Sequence, residues 1–149
     1  MDPERIESVK VGLIAAIVGI AASLVLSSID ILFIEDTSFT QTVSNLLVAQ
    51  VVHVAIAAVC CFLFGVTYRY IIRQDSNPHL RSGAVGAFAL TRSLSQLESV
   101  DLSELASVLP LSIPIVESFG LFLTVRLVLD LGLKQQWLKP FITVPSGRE

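Results

Sequence analysis

Four charged or titratable side chains stand among apolar neighbours. His53 lies within QVVHVAIAAVCCFLFG, residues 50–65, and Glu117 within PIVESFGLFLTV, residues 114–125. Arg126 and Asp130 follow in the same apolar run. An imidazole can exchange a proton, hydrogen-bond, or ligate a metal. A charge in a hydrocarbon span costs about 2.5–3.5 kcal/mol on insertion scales, so each is a functional suspect. Glu117 sits mid-run whichever ends are chosen. It can serve a proton path, hold a ligand, or pair with His53, Arg126 or a polar group on another subunit. Arg126, Asp130 and Lys134 recur every four residues, a ladder of opposite charges on one helix face. A span ending near Val125 would instead place that ladder at the membrane interface. There long side chains snorkel, and Trp137 fits an aromatic belt.

His53 shares its helix face with small residues. Ala49, Ala57, Cys61 and Gly65 are spaced from it by multiples of four, and Ala15, Gly19, Ser23 and Ser27 repeat the device earlier. Small residues at this spacing let helix backbones approach closely, so the two stripes are expected to pair. Two readings of His53 follow. In one it hydrogen-bonds the neighbouring helix at Ser23 or Ser27. In the other the small stripe makes room for a macrocycle, and His53 is the axial ligand of haem iron or chlorophyll magnesium. The only other histidine, His79, falls in a connecting segment, which disfavours a bis-histidine haem and leaves chlorophyll as the candidate cofactor. No Gly-rich phosphate loop, HExxH or nucleophile elbow occurs, so no catalytic residue is assigned. The adjacent Cys60 and Cys61 read as buried apolar residues, and no metal site is expected.

These residues need elements to hold them, and composition points to membrane helices. The 149 residues are 53% hydrophobic and 15% charged, where soluble domains average about 25% charge. Mean hydropathy is +0.75. Apolar runs near 11–29, 46–68 and 108–133 approach the ~20 residues that cross a bilayer. The expected fold is therefore all-α, a single domain of three transmembrane helices. The acidic start MDPERIESVK is a poor secretory or transit signal, and the first span reads as an uncleaved anchor. Net charge is −3 with no basic run, so nucleic acid is not an expected partner.

Between the second and third spans, NPHLRSGAVGAFALTRSLSQLE is too short of apolar residues to span. As a helix at about 79–97 it gathers Leu80, Ala87, Leu90, Leu94 and Leu97 on one face. Arg81, Arg92 and Gln96 lie roughly opposite, with Phe88 among them. That pattern predicts an amphipathic helix docked on the membrane surface, on a partner, or on the protein's own spans. Phe88 joins the docking set. Asp101 and Glu104 resemble a capping box, and Pro110 and Pro114 are expected to bend the first turns of the third span. Counting Arg5, Lys10, Arg69, Arg73, Arg81 and Arg92 against Lys134, Lys139 and Arg148 puts the N-terminus and long connection in the cytoplasm or stroma. The C-terminus is then expected opposite.

The stretch RQDSNPHLRSGAVGAFALTR, within Tyr68 to Glu98, resembles a family of small integral membrane proteins of cyanobacteria and chloroplasts. The resemblance covers about a fifth of the chain. It implies a thylakoid setting and a photosynthetic complex as partner, but no activity or site residue. The expected function is that of a non-enzymatic subunit or assembly factor. The alternatives are chlorophyll binding at His53 and an oligomeric proton or ion carrier built around Glu117.

Overall fold

A computed structural model describes residues 3–33, 43–72, 78–97, 108–135 and 137–138. The described chain is all-helical: α1 Pro3–Phe33, α2 Val43–Ile72, α3 Pro78–Leu97 and α4 Val108–Lys134. The acidic connection at 34–42, the Asp101–Glu104 cap and the tail from residue 139 lie outside the described residues.

Local chemistry accounts for the helix ends. Pro3 and Pro78 open α1 and α3, where the missing N–H would have no partner and the fixed φ suits a helix. Pro110 falls in the first turn of α4, and the helix continues through Pro114. At its other end the chain folds back. Trp137 and Leu138 donate backbone hydrogen bonds to the Gly132 carbonyl at 3.1 and 3.3 Å. Leu138 is buried against Gly132, while Trp137 is exposed.

Contacts along the helices fix their directions. Arg69 donates to Ser8, Gly65 meets Ala15, Gly19 meets Cys61, and Gln50 donates to Ser27 at 2.8 Å. α1 and α2 are therefore antiparallel. Arg92 lies beside Glu117, Phe88 beside Phe122, and Arg81 beside Asp130, so α3 and α4 are antiparallel too. His53–Glu117 and Tyr68–Asp130 show α2 and α4 running in parallel. The result is an up-down-up-down bundle of four helices. α1 packs on α2 and α4, α3 packs on the same two from the other side, and α2 touches α4 between them.

The small-residue stripes are in contact. A Cβ on Gly19 would lie 2.4 Å from Cys61 Sγ, and one on Gly65 would lie 2.5 Å from the Ala15 Cβ. Ala15, Ser23, Ala57 and Cys61 are fully buried. Ser27 is half-buried, but Ala49 is exposed and takes no part.

Three helices are long and apolar enough to cross a membrane: Arg5–Ser28, Leu47–Ile72 and Ser112–Lys134. Only 28%, 17% and 28% of their apolar windows are buried inside the bundle, so most of that surface faces outward. This is compatible with a membrane protein. Of the placements open to α3, the structure realises packing on the protein's own helices, alongside α2 and α4. Its faces are reversed relative to a helix docked by its leucines. Val85, Ala89, Arg92 and Ser93 are buried, whereas Leu80, Leu90 and Leu94 are exposed at 46%, 49% and 64%. Ala87 is exposed as well, and the Leu97 side chain lies outside the described residues. Phe88 belongs to the inward face, packed edge-on against Phe64 and tilted against Phe122.

Candidate functional site

The bundle interior is layered. At the end where α2 begins, α2, α3 and α4 each supply one charged or titratable group. His53 Nε2 is 3.0 Å from Glu117 Oε1. Arg92 Nη2 is 2.9 Å from the same His53 nitrogen. Arg92 Nη1 lies 3.5 Å from both Glu117 Oε1 and Ser118 Oγ, and Ser118 donates onward to Gln96 Oε1 at 3.3 Å. Side-chain exposure is 3% for Arg92, 11% for Glu117 and 30% for His53. The guanidinium is thus nearly enclosed, and the imidazole is the most accessible member.

The next layer is aromatic. Phe64, Phe88 and Phe122 meet with ring centroids 5.3–5.8 Å apart, and Tyr68 stacks on Phe64 at 5.4 Å. Below it lies a second polar group. Tyr68 donates to Asp130 Oδ1 at 2.7 Å. Arg81 and Arg126 approach the same carboxylate at 3.7 Å, and Arg126 donates to Ser82 Oγ at 3.2 Å. Each polar layer joins the same three helices, so α3 is held to α2 and α4 at both ends.

Of the pairings open to Glu117, the structure realises the one with His53 and adds Arg92. Arg126 is too far along α4 and pairs with Asp130 instead. His53 bonds neither Ser23 nor Ser27. Ser27 is taken by Gln50, and the buried Ser23 hydroxyl has no partner. Lys134 is exposed at the end of α4. Sequence reasoning missed Arg92, Ser118, Gln96, Tyr68 and Arg81 as members of the two polar layers. One signal was present: Phe88 falls among the arginines of α3, and an aromatic ring there marks that face as buried.

A chlorophyll at His53 would be held through an imidazole nitrogen. An axial ligand must offer a free nitrogen lone pair. Nε2 of His53 is within hydrogen-bond distance of both a guanidinium and a carboxylate. These residues do not fit a macrocycle at that nitrogen. Among the described residues, no three His, Cys, Asp or Glu side chains converge to hold a metal ion.

No protein-family model, curated protein or solved structure matches this chain.

Proposed function

We propose that the protein is a non-enzymatic integral membrane subunit or assembly factor of a larger membrane complex, with the thylakoid as its setting by resemblance. One observation carries this reading. On α3 the arginines turn inward and are paired by α2 and α4, while the leucines turn outward. Such an inside-out helix suits a surrounding of lipid tails and other helices, because a solvent-facing helix would show the opposite pattern. Recognition then rests on the apolar exterior. Gly83 and Gly86 of α3 and Gly120 of α4 face open space, where another helix backbone can approach closely. A carrier built between copies around Glu117 is less well supported, since that carboxylate faces its own bundle.

Affinity capture of the tagged protein in mild detergent tests this reading. The expected result is co-migration with a defined large complex on a native gel, its subunits identified by mass spectrometry. Recovery of the free chain alone would overturn it.

Three helices are apolar enough to cross on their own, and we infer that α3, packed between α2 and α4 with its arginines inward, is carried in with them as a fourth crossing. Arg5, Lys10, Arg69, Arg81, Arg126 and Lys134 all lie toward the end where α1 starts and α4 finishes. Among the described cations only Arg92 lies toward the other end. The positive-inside rule then assigns both chain termini to the cytoplasmic or stromal face. The placement of the C-terminus opposite the N-terminus assumed that α3 does not cross. In bacteria, a C-terminal green fluorescent protein fusion should fluoresce and a C-terminal alkaline phosphatase fusion should be inactive. The reverse pattern would mean three crossings.

A further inference from the structure

The Arg92–His53–Glu117 cluster contains a conflict that chemistry must resolve. Nε2 of an imidazole is either an N–H donor or a lone-pair acceptor. Here it faces a guanidinium that only donates, at 2.9 Å, and a carboxylate oxygen at 3.0 Å. An unprotonated Nε2 satisfies Arg92 and repels an ionised Glu117. A protonated Nε2 satisfies Glu117 and repels Arg92. Arg92 also has an alternative place to bond, since Nη1 is already 3.5 Å from Glu117 Oε1 and from Ser118 Oγ. Its Nε is buried with no partner, so the guanidinium is not fully committed where it stands.

We propose that this cluster is a one-proton binding site whose occupancy decides which helix Arg92 of α3 holds. Without the proton, Arg92 Nη2–H donates to the His53 Nε2 lone pair and ties α3 to α2. On proton uptake that bond breaks and Nε2–H donates to Glu117 Oε1. Arg92 then moves wholly onto Glu117 and Ser118 and ties α3 to α4. The three side chains together go from net charge zero to +1, and the proton comes from the aqueous phase beyond the start of the Leu47–Ile72 span.

Access is short. His53 is six residues into the Leu47–Ile72 span, about 9 Å along the axis at 1.5 Å per residue. Among the described side chains, these three are the charged or titratable groups at this level of the bundle. From α3 the charged neighbour is Arg92, and from α4 it is Glu117. On α2 itself, Cys61 lies two turns further and is an electrostatic neighbour of Arg92. On α1 the level of His53 falls near Ser27, bonded to Gln50.

The chain has only two histidines, which makes the test direct. His79→Gln leaves His53 as the sole imidazole signal. The full chain with this change, labelled with 15N-histidine and 15N-arginine in lipid nanodiscs, is followed by NMR from about pH 5 to 9, the range in which imidazoles change charge. The expected result is a one-proton curve at His53 Nε2, with the Arg92 Nη signals moving on the same curve. In Glu117→Gln the Arg92 response should be smaller and confined to loss of the His53 bond, because the carboxylate that receives both Nε2–H and Arg92 is gone while Ser118 remains. The proposal is overturned by a single unchanging His53 tautomer across the range, or by titration of His53 that leaves the Arg92 signals still. If Glu117→Gln does not fold, the His79→Gln spectra alone decide between these outcomes. Failure here leaves the capture result untouched, so the two readings fail separately.

Discussion

Gly65→Ala is expected to destabilise the bundle by about 1–3 kcal/mol, a large effect for one methyl group and the usual range for overpacking a tight site. The added Cβ would sit 2.5 Å from the Ala15 Cβ, 3.0 Å from the Val11 carbonyl oxygen and 3.2 Å from the Gly12 Cα. Two of these three are backbone atoms, so no rotamer change relieves the clash and α1 must move away from α2. Ala15→Gly in the same chain removes the nearest clash but not the backbone contacts, and should restore part of the loss. Gly86→Ala is the control, because a Cβ there meets nothing within 4 Å. It should be neutral or slightly stabilising. Denaturation in mixed dodecyl sulfate and mild detergent, followed by loss of helix signal, measures all four chains. Equal stability of Gly65→Ala and Gly86→Ala would mean that α1 and α2 do not pack through their small residues.

That contact was legible in the sequence because backbone approach depends on residue size at a fixed spacing of four. The spacing survives in any helix, so the stripe Ala15, Gly19, Ser23 and Ser27 could be set against the stripe from Ala49 to Gly65 without coordinates, while the register came from the structure. Ala49 shares the spacing but is exposed, so the buried part of the stripe runs only from Ala57 to Gly65, and periodicity cannot say how far along two helices stay in close contact. The partner of Glu117 was legible only in part. His53 was among the choices, but choosing it required knowing that α2 and α4 run parallel with these residues level. α3 misled for a different reason. Arg81 and Arg92 were placed on an outer polar face, as they would be in water. Beside α2 and α4 the arginines find Asp130 and Glu117 inside, and the leucines are left facing out. Phe88, on the arginine side, was the residue that did not fit an outward polar face.

Arg92→Met carries the other large expected effect, about 3–5 kcal/mol, the typical cost of removing one partner from a buried ion pair. Methionine fills much of the arginine stem's volume, so the loss is chiefly electrostatic. Glu117, with 11% of its side chain exposed, would keep His53 but lose its permanent cation. Ser118 and Gln96 would lose their link to that cation as well. Arg92→Lys should rescue little, because one ammonium cannot reach His53, Glu117 and Ser118 with the fork geometry of a guanidinium. The double change Arg92→Met with Glu117→Met should recover most of the loss, since removing both charges leaves no buried ion unpaired and only the partly exposed His53 without its partners. The same denaturation curves supply the cycle, and amide hydrogen exchange localises the effect. Faster exchange should be concentrated in the second half of α3, where Arg92 and Gln96 attach it to α4. The first half keeps Arg81 on Asp130 and Ser82 on Arg126. Wild-type stability in Arg92→Met would mean that the outward leucines and the aromatic layer alone hold α3 in place, and the ion pair would have no structural role.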